Sequence, residues 1–141
     1  MTQGWKLLHL GVVVKDMARS VEACRALGAA EVGEPGAMGS GGVRTKVQFV
    51  RLGDLEVEFF EHVEGQSTIG EFLARHGEGV HHMSFEVADL DAELARLKGV
   101  SRLVMGPRET PSGRRIAFVE LDSLAGMQVE LEQLPRRAGR P

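Results

Sequence analysis

Tyrosine is absent from this chain, and aromatic residues make up only 5% of its 141 residues. That composition argues against a base-stacking platform or an aromatic sugar cleft. Cysteine occurs once, at Cys24, so an intrachain disulfide and a cysteine-built zinc site are both excluded. No apolar run approaches the roughly 20 residues that span a bilayer. The opening MTQGWKLLHL also lacks an apolar stretch ending in a small-residue cleavage site. These absences lead to the expectation of a cytoplasmic chain with no membrane partner. The net charge of −3 gives no broad basic surface, so no nucleic-acid partner is expected. Glycine, by contrast, is abundant at 18 residues, and the hydrophobic share of 43% suits one small globular domain spanning 1–141. The basic, Pro/Gly-rich end from Pro135 to Pro141 reads as a flexible tail.

The chain repeats itself. His9-Leu10-Gly11-Val12-Val13-Val14-Lys15-Asp16 lines up with His82-Met83-Ser84-Phe85-Glu86-Val87-Ala88-Asp89 at a constant offset of 73. A helical pattern follows each aspartate: Met17, Val21, Cys24 and Leu27 in the first copy, Leu90, Leu94 and Leu97 in the second. Asp16 and Asp89 suit N-caps, and Gly28 and Gly99 suit the stops. Strand pairs come next, Val47–Val50 with Leu55–Glu61 and Ile116–Leu121 with Met127–Glu132. Short extra strands are expected near Glu31–Val32 and Leu103–Met105. The repeats run over about 5–62 and 78–133. Between them, Ser67–His76 carries its own helix, with Thr68 and Glu71 as a capping box. The segment Gly33–Gly42, with five glycines in ten residues, reads as a mobile loop.

Strand alternation sorts these side chains by face. His9 shares a face with Gly11 and Val13, and His82 shares one with Ser84 and Glu86. Glu58 opposes Val57 and Phe59, and Glu130 opposes Val129 and Leu131. The repeat therefore sets His9 and His82 at equivalent positions, and Glu58 and Glu130 likewise. A two-fold relation between the halves would let two imidazoles and two carboxylates converge. Such a donor set suits a divalent ion such as Co, Ni, Zn, Mn or Fe, with an open position if the site is catalytic. The remaining candidates read more plainly. His81 reads as a packed or supporting group, and His62 and His76 as surface groups. Glu56, Glu61, Glu86 and Glu132 read as solvated or supporting groups, and Cys24 as a core residue.

The runs HLGVVVKD, LEVEFFE, GVHHMSFEVAD and QVELEQ resemble the vicinal oxygen chelate superfamily, which includes glyoxalase I and the extradiol dioxygenases. The resemblance covers about Leu8 to Gln133. Within the superfamily, four segments resemble the methylmalonyl-CoA epimerase subgroup: Glu58-Phe59-Phe60, Ser67 to Leu73, Gly79 to Met83, and Val129 to Gln133. The resemblance implies an α+β fold of two paired βαβββ modules whose sheets curl around a metal-binding cleft. It also implies metal ligands at His9, Glu58, His82 and Glu130, and a homodimer. The implied activity is metal-dependent epimerisation of 2-substituted malonyl-CoA thioesters, by proton transfer at C2 through a metal-stabilised enolate. Glu130 and Glu58 are then the candidate bases. Lys46, which stands where some epimerases carry a carboxylate, and Gln48 are expected to contact the acyl thioester. A glyoxalase I-type lyase acting on a glutathione hemithioacetal would use the same four positions. A metal-free binding or resistance protein of the same fold would not need them. A dioxygenase would leave Glu58 surplus.

Overall fold

The computed structural model describes residues 4–136; the expected tail beyond Arg136 lies outside the described residues. Among them are three helices and nine strands, an α+β fold. The chain divides into two compact units, one of His9–His82 and one formed by residues up to 8 together with those from 83 onward. Strands β1 (Lys6–Val13) and β6 (Gly79–Glu86) each run from one unit into the other.

The first unit contains α1 (Met17–Ala26), β2 (Glu31–Val32), β3 (Gly36–Met38), β4 (Arg44–Leu52), β5 (Leu55–Glu64) and α2 (Thr68–His76). β2, β3 and β5 all pair antiparallel with β4, and β5 runs parallel to β1. α1 starts where Asp16 accepts the Arg19 amide and ends at a cap formed by Leu27, followed by Gly28 at φ 91°. Leu27 is therefore outside the helix and 77% exposed, not on its buried face as the spacing suggested. α1 buries Met17, Val21 and Cys24 against Val50, Val57 and Phe59 on one face of the sheet. Burial raises the Cys24 thiol pKa, which keeps it an apolar filler.

α2 packs on the opposite face. Ile69, Phe72 and Leu73 meet Val13, Phe60 and Val47. Ser67 caps α2 by accepting the Gly70 amide, and its hydroxyl also bonds His62 Nδ1 at 3.1 Å. His62 is thus a half-buried β5 residue beneath the first turn of α2, not a surface loop group. A Cβ on Gly70 would stand 3.0 Å from that ring, so glycine lets the helix approach. The expected mobile loop contains β3, whose backbone pairs with Val47, Lys46 and Thr45. Its three residues are all exposed, so no apolar alternation announced it.

In the second unit the described strands run in the order β6, β9 (Gln128–Gln133), β8 (Arg115–Glu120), β7 (Arg102–Glu109). α3 (Leu90–Leu97) is capped by Asp89 and followed by Gly99 at φ 90°. Arg115 forks onto both oxygens of Asp91 at 2.8 and 2.9 Å, tying the first turn of α3 to β8. The hydrogen bond from Arg115 holds the Asp91 carboxyl below the usual carboxylate range. β7 is longer than the alternation suggested, because two register shifts interrupt its pairing and its period. The core joins Val87, Leu90, Leu97, Ala117, Val119, Val129 and Leu131, with Trp5 and Phe85 at its margin.

Leu131 has no solvent exposure and lies at the centre of that core. Leu131→Ala is expected to lower unfolding free energy by about 2–5 kcal/mol, read as a lower urea midpoint.

Candidate metal centre

Register decides what faces what. Gly11 pairs with Glu58 across the parallel β1–β5 ladder, and Phe49 pairs with Glu58 across β4–β5. Directly paired residues share a face, so His9, Gly11, Phe49 and Glu58 all lie on the α2 side of the sheet. On that face His9 Nε2 is 3.0 Å from Glu58 Oε2 and 3.2 Å from His82 Nε2. One donor atom from each residue lies within 4.8 Å of the others. His9 and His82 are buried, and the Glu58 side chain keeps 15% exposure.

This donor set fits a divalent cation. Two ligands held at about 2.1 Å stand roughly 3.0 Å apart at a right angle and roughly 3.4 Å apart in a tetrahedron. The two measured separations, 3.0 and 3.2 Å, fall in that span. The environment prepares His82 as well. Its Nδ1 lies 2.8 Å from His81 Nδ1, and the His81 ring stands edge-on to Phe72 of α2 at 5.1 Å. With Nε2 presenting a lone pair to an ion, His82 Nδ1–H donates to His81 Nδ1, which fixes the ring and its tautomer. His81 is accordingly buried and packed against Phe72.

Gly11 was not among the expected site residues. A Cβ there would fall within the His82 ring. A glycine between branched aliphatic residues in a strand already signals close approach, and that signal was present in the sequence.

The other expected site residues have different surroundings. Lys46 and Gln48 alternate with Phe49 and therefore lie on the α1 side, away from His9 and Glu58. Lys46 Nζ is 3.5 Å from Glu61 Oε1, while the other Glu61 oxygen accepts the Met17 amide at the start of α1. Gln48 is buried and donates to the Gly33 carbonyl at 2.8 Å. The register thus sets these two expected substrate contacts on the face opposite His9 and Glu58. Glu130 belongs to the second unit, where it is buried on β9 directly opposite Phe118. That pairing matches Glu58 opposite Phe49 in the first. Glu132 is not solvated: it is buried, accepts from Ser84 Oγ at 3.1 Å and pairs with Arg114 at 2.9 Å. No helix among the described residues is long and apolar enough to cross a membrane.

The glyoxalase/bleomycin resistance protein/dioxygenase superfamily model matches residues 8–118, and the chain belongs to that superfamily. Its similar relatives include methylmalonyl-CoA epimerases at about 30% identity. The ethylmalonyl-CoA/methylmalonyl-CoA epimerase of Cereibacter sphaeroides is 31% identical over 133 residues, covering 92% of this chain and 98% of that one. The mitochondrial methylmalonyl-CoA epimerase of Bos taurus is 29% identical over 131 residues, covering 91% of this chain and 74% of that one. A variant of Streptomyces coelicolor methylmalonyl-CoA epimerase, solved in complex with 2-nitronate-propionyl-CoA, has a TM-score of 0.69 and 32% identity. That comparison covers 92% of this chain and 96% of the other.

Two variants test the centre. Gly11→Ala is expected to displace the His82 ring and reduce divalent-metal retention, measured by elemental analysis after dialysis, while circular dichroism stays unchanged. His81→Phe keeps the packing on Phe72 but removes the acceptor, and is expected to weaken metal affinity about 10- to 100-fold.

Proposed function

We propose that this chain is a divalent-metal-dependent epimerase of 2-substituted malonyl-CoA thioesters. The observation that carries this reading is the His9–Glu58–His82 cluster, with both histidines buried and Glu58 partly so, in a chain that aligns along nearly its whole length with an epimerase. The fold alone would not carry it, since one fold hosts many chemistries.

His9 and His82 would hold the ion through imidazole nitrogens and Glu58 through a carboxylate oxygen. Glu130 is assigned as a fourth donor on its sequence equivalence to Glu58 and their matching phenylalanine partners. When bound, the ion supplies Lewis-acid stabilisation for negative charge developing on the thioester and carboxylate oxygens. The proton at C2 is weakly acidic, and inversion requires a base on one face and an acid on the other. Glu130 is the first candidate for the base and Glu58 the second. Phe49 stands edge-on to His9 at 5.9 Å and offers an apolar surface beside the cluster. His81 keeps the His82 ring aimed while charge develops. The 2-nitronate-propionyl-CoA bound by the Streptomyces enzyme supports the substrate class, because a nitronate carries planar anionic charge at C2 as an enolate does. A homodimer belongs to the same reading.

Incubation with 2-methylmalonyl-CoA in heavy water and a supplied divalent metal is expected to place deuterium at C2. Glu130→Ala is expected to reduce that exchange by about 100-fold or more, with loss of bound metal. Wild-type turnover in this variant would overturn the assignment of Glu130. Absence of exchange together with formation of lactoylglutathione from the hemithioacetal would replace the epimerase reading with a lyase.

A further inference from the structure

The face of the first sheet that carries His9 has three stretches. α2 covers one end, over Val13, Phe60 and Val47. The middle holds His9, Gly11 and Glu58. At the other end, Glu31, Arg51 and Glu56 stand side by side on β2, β4 and β5, since Arg51 pairs with both neighbours in the ladder. A cavity of about 260 Å³ opens there, lined by Glu31, Val32, Gly33, Phe49, Arg51 and Glu56. Phe49 belongs to both regions: its ring meets the His9 ring and also forms a wall of the cavity.

We propose that this cavity holds the uncharged, amide-bearing segment of the substrate's thiol arm, next to the thioester. The proposal rests on the epimerase reading for the identity of the arm, and on the cavity itself for its chemistry. The volume is below the range of about 300–1,000 Å³ that encloses whole small ligands, so it suits a segment of a long substrate. Charge then selects the segment. Arg51 donates from Nε to Glu31 at 3.3 Å and from Nη2 to Glu56 at 2.8 Å. A phosphate would meet two carboxylates and one guanidinium that is already paired. An amide finds complements for both of its groups, a carboxylate for its N–H and the guanidinium for its carbonyl. The sequence of surfaces also fits, with apolar Phe49 nearest His9 and the charged trio beyond it, as an alkyl sulfide precedes an amide.

The rim is held in place. The Gly33 amide donates to the Phe49 carbonyl at 2.8 Å, and Gln48 reaches the Gly33 carbonyl from the other face at 2.8 Å. A Cβ at Gly33 would stand only 3.2 Å from the Phe49 carbonyl oxygen, so the strands can close to this spacing. Gln48 thus acts on the cavity through backbone, without facing it.

The test is titration of the isotope-labelled full chain with pantetheine, following backbone amide resonances, with ADP as the anionic comparison. Pantetheine is expected to shift Val32, Gly33 and Arg51 saturably, and ADP to leave them in place. Arg51→Met and Glu56→Gln are each expected to weaken pantetheine binding about fivefold, on the scale of one lost hydrogen bond, with unchanged circular dichroism. Shifts confined to other residues, ADP acting at these three, or wild-type affinity in both variants would overturn the proposal. Deuterium exchange at C2 is a separate readout. Pantetheine binding here without exchange would remove the epimerase reading and keep the subsite; exchange without binding here would remove the subsite alone.

Discussion

The first unit depends on a constraint of burial. Two imidazoles are withdrawn from water and a carboxylate largely so on one sheet face, and their polar edges converge. Such groups are costly to bury unless they share protons or a cation. The surrounding residues follow from that requirement. Gly11 leaves out a side chain so that the His82 ring can enter, His81 shares a hydrogen bond with the other nitrogen of that ring, and Phe72 packs against His81. The site is therefore supported from α2 as well as from the strands that carry it.

The two faces of the first sheet divide the work. α1 closes one face with an apolar core, and Glu61 and Gln48 on that side serve helix start and strand spacing. α2 covers part of the other face, at the end away from His9 and Arg51. The second unit repeats the arrangement of a capped helix followed by strands, with a carboxylate directly opposite a phenylalanine in each. That repetition supports treating Glu58 and Glu130 as one kind of residue in two places.

Features governed by local rules were legible in the sequence. Asp16 and Asp89 cap their helices as expected, because a short oxygen-bearing side chain can reach the orphan amides of the first turn, whereas α2 is capped by Ser67 and not by the expected Thr68. Val57 and Phe59 face α1, and Glu58 faces away, because side chains alternate along a strand. What escaped was set by pairing. β3 has no alternation, since neither of its faces is covered. Lys46 was expected at the site because it stands where some epimerases carry a carboxylate, and Gln48 because it shares that strand face, yet which face they occupy depends on which β5 residue Phe49 meets. A slip of one residue would exchange the two faces. Glu56 read as solvated or supporting, and its partner Arg51 could not be named because it comes from another strand.

The sequence by itself determined the two-copy plan, the helix boundaries to within a residue or so, and the residue types able to bind a metal. Those follow from periodicity and capping, which act between residues near one another in the chain. Only the tertiary structure decided that His9, Glu58 and His82 meet at about 3 Å, that Gly11 makes the space for them, and that Arg51 lies between Glu31 and Glu56 beside an open cavity. These depend on strand register and sheet order, which bring together residues far apart in sequence and which no local pattern encodes.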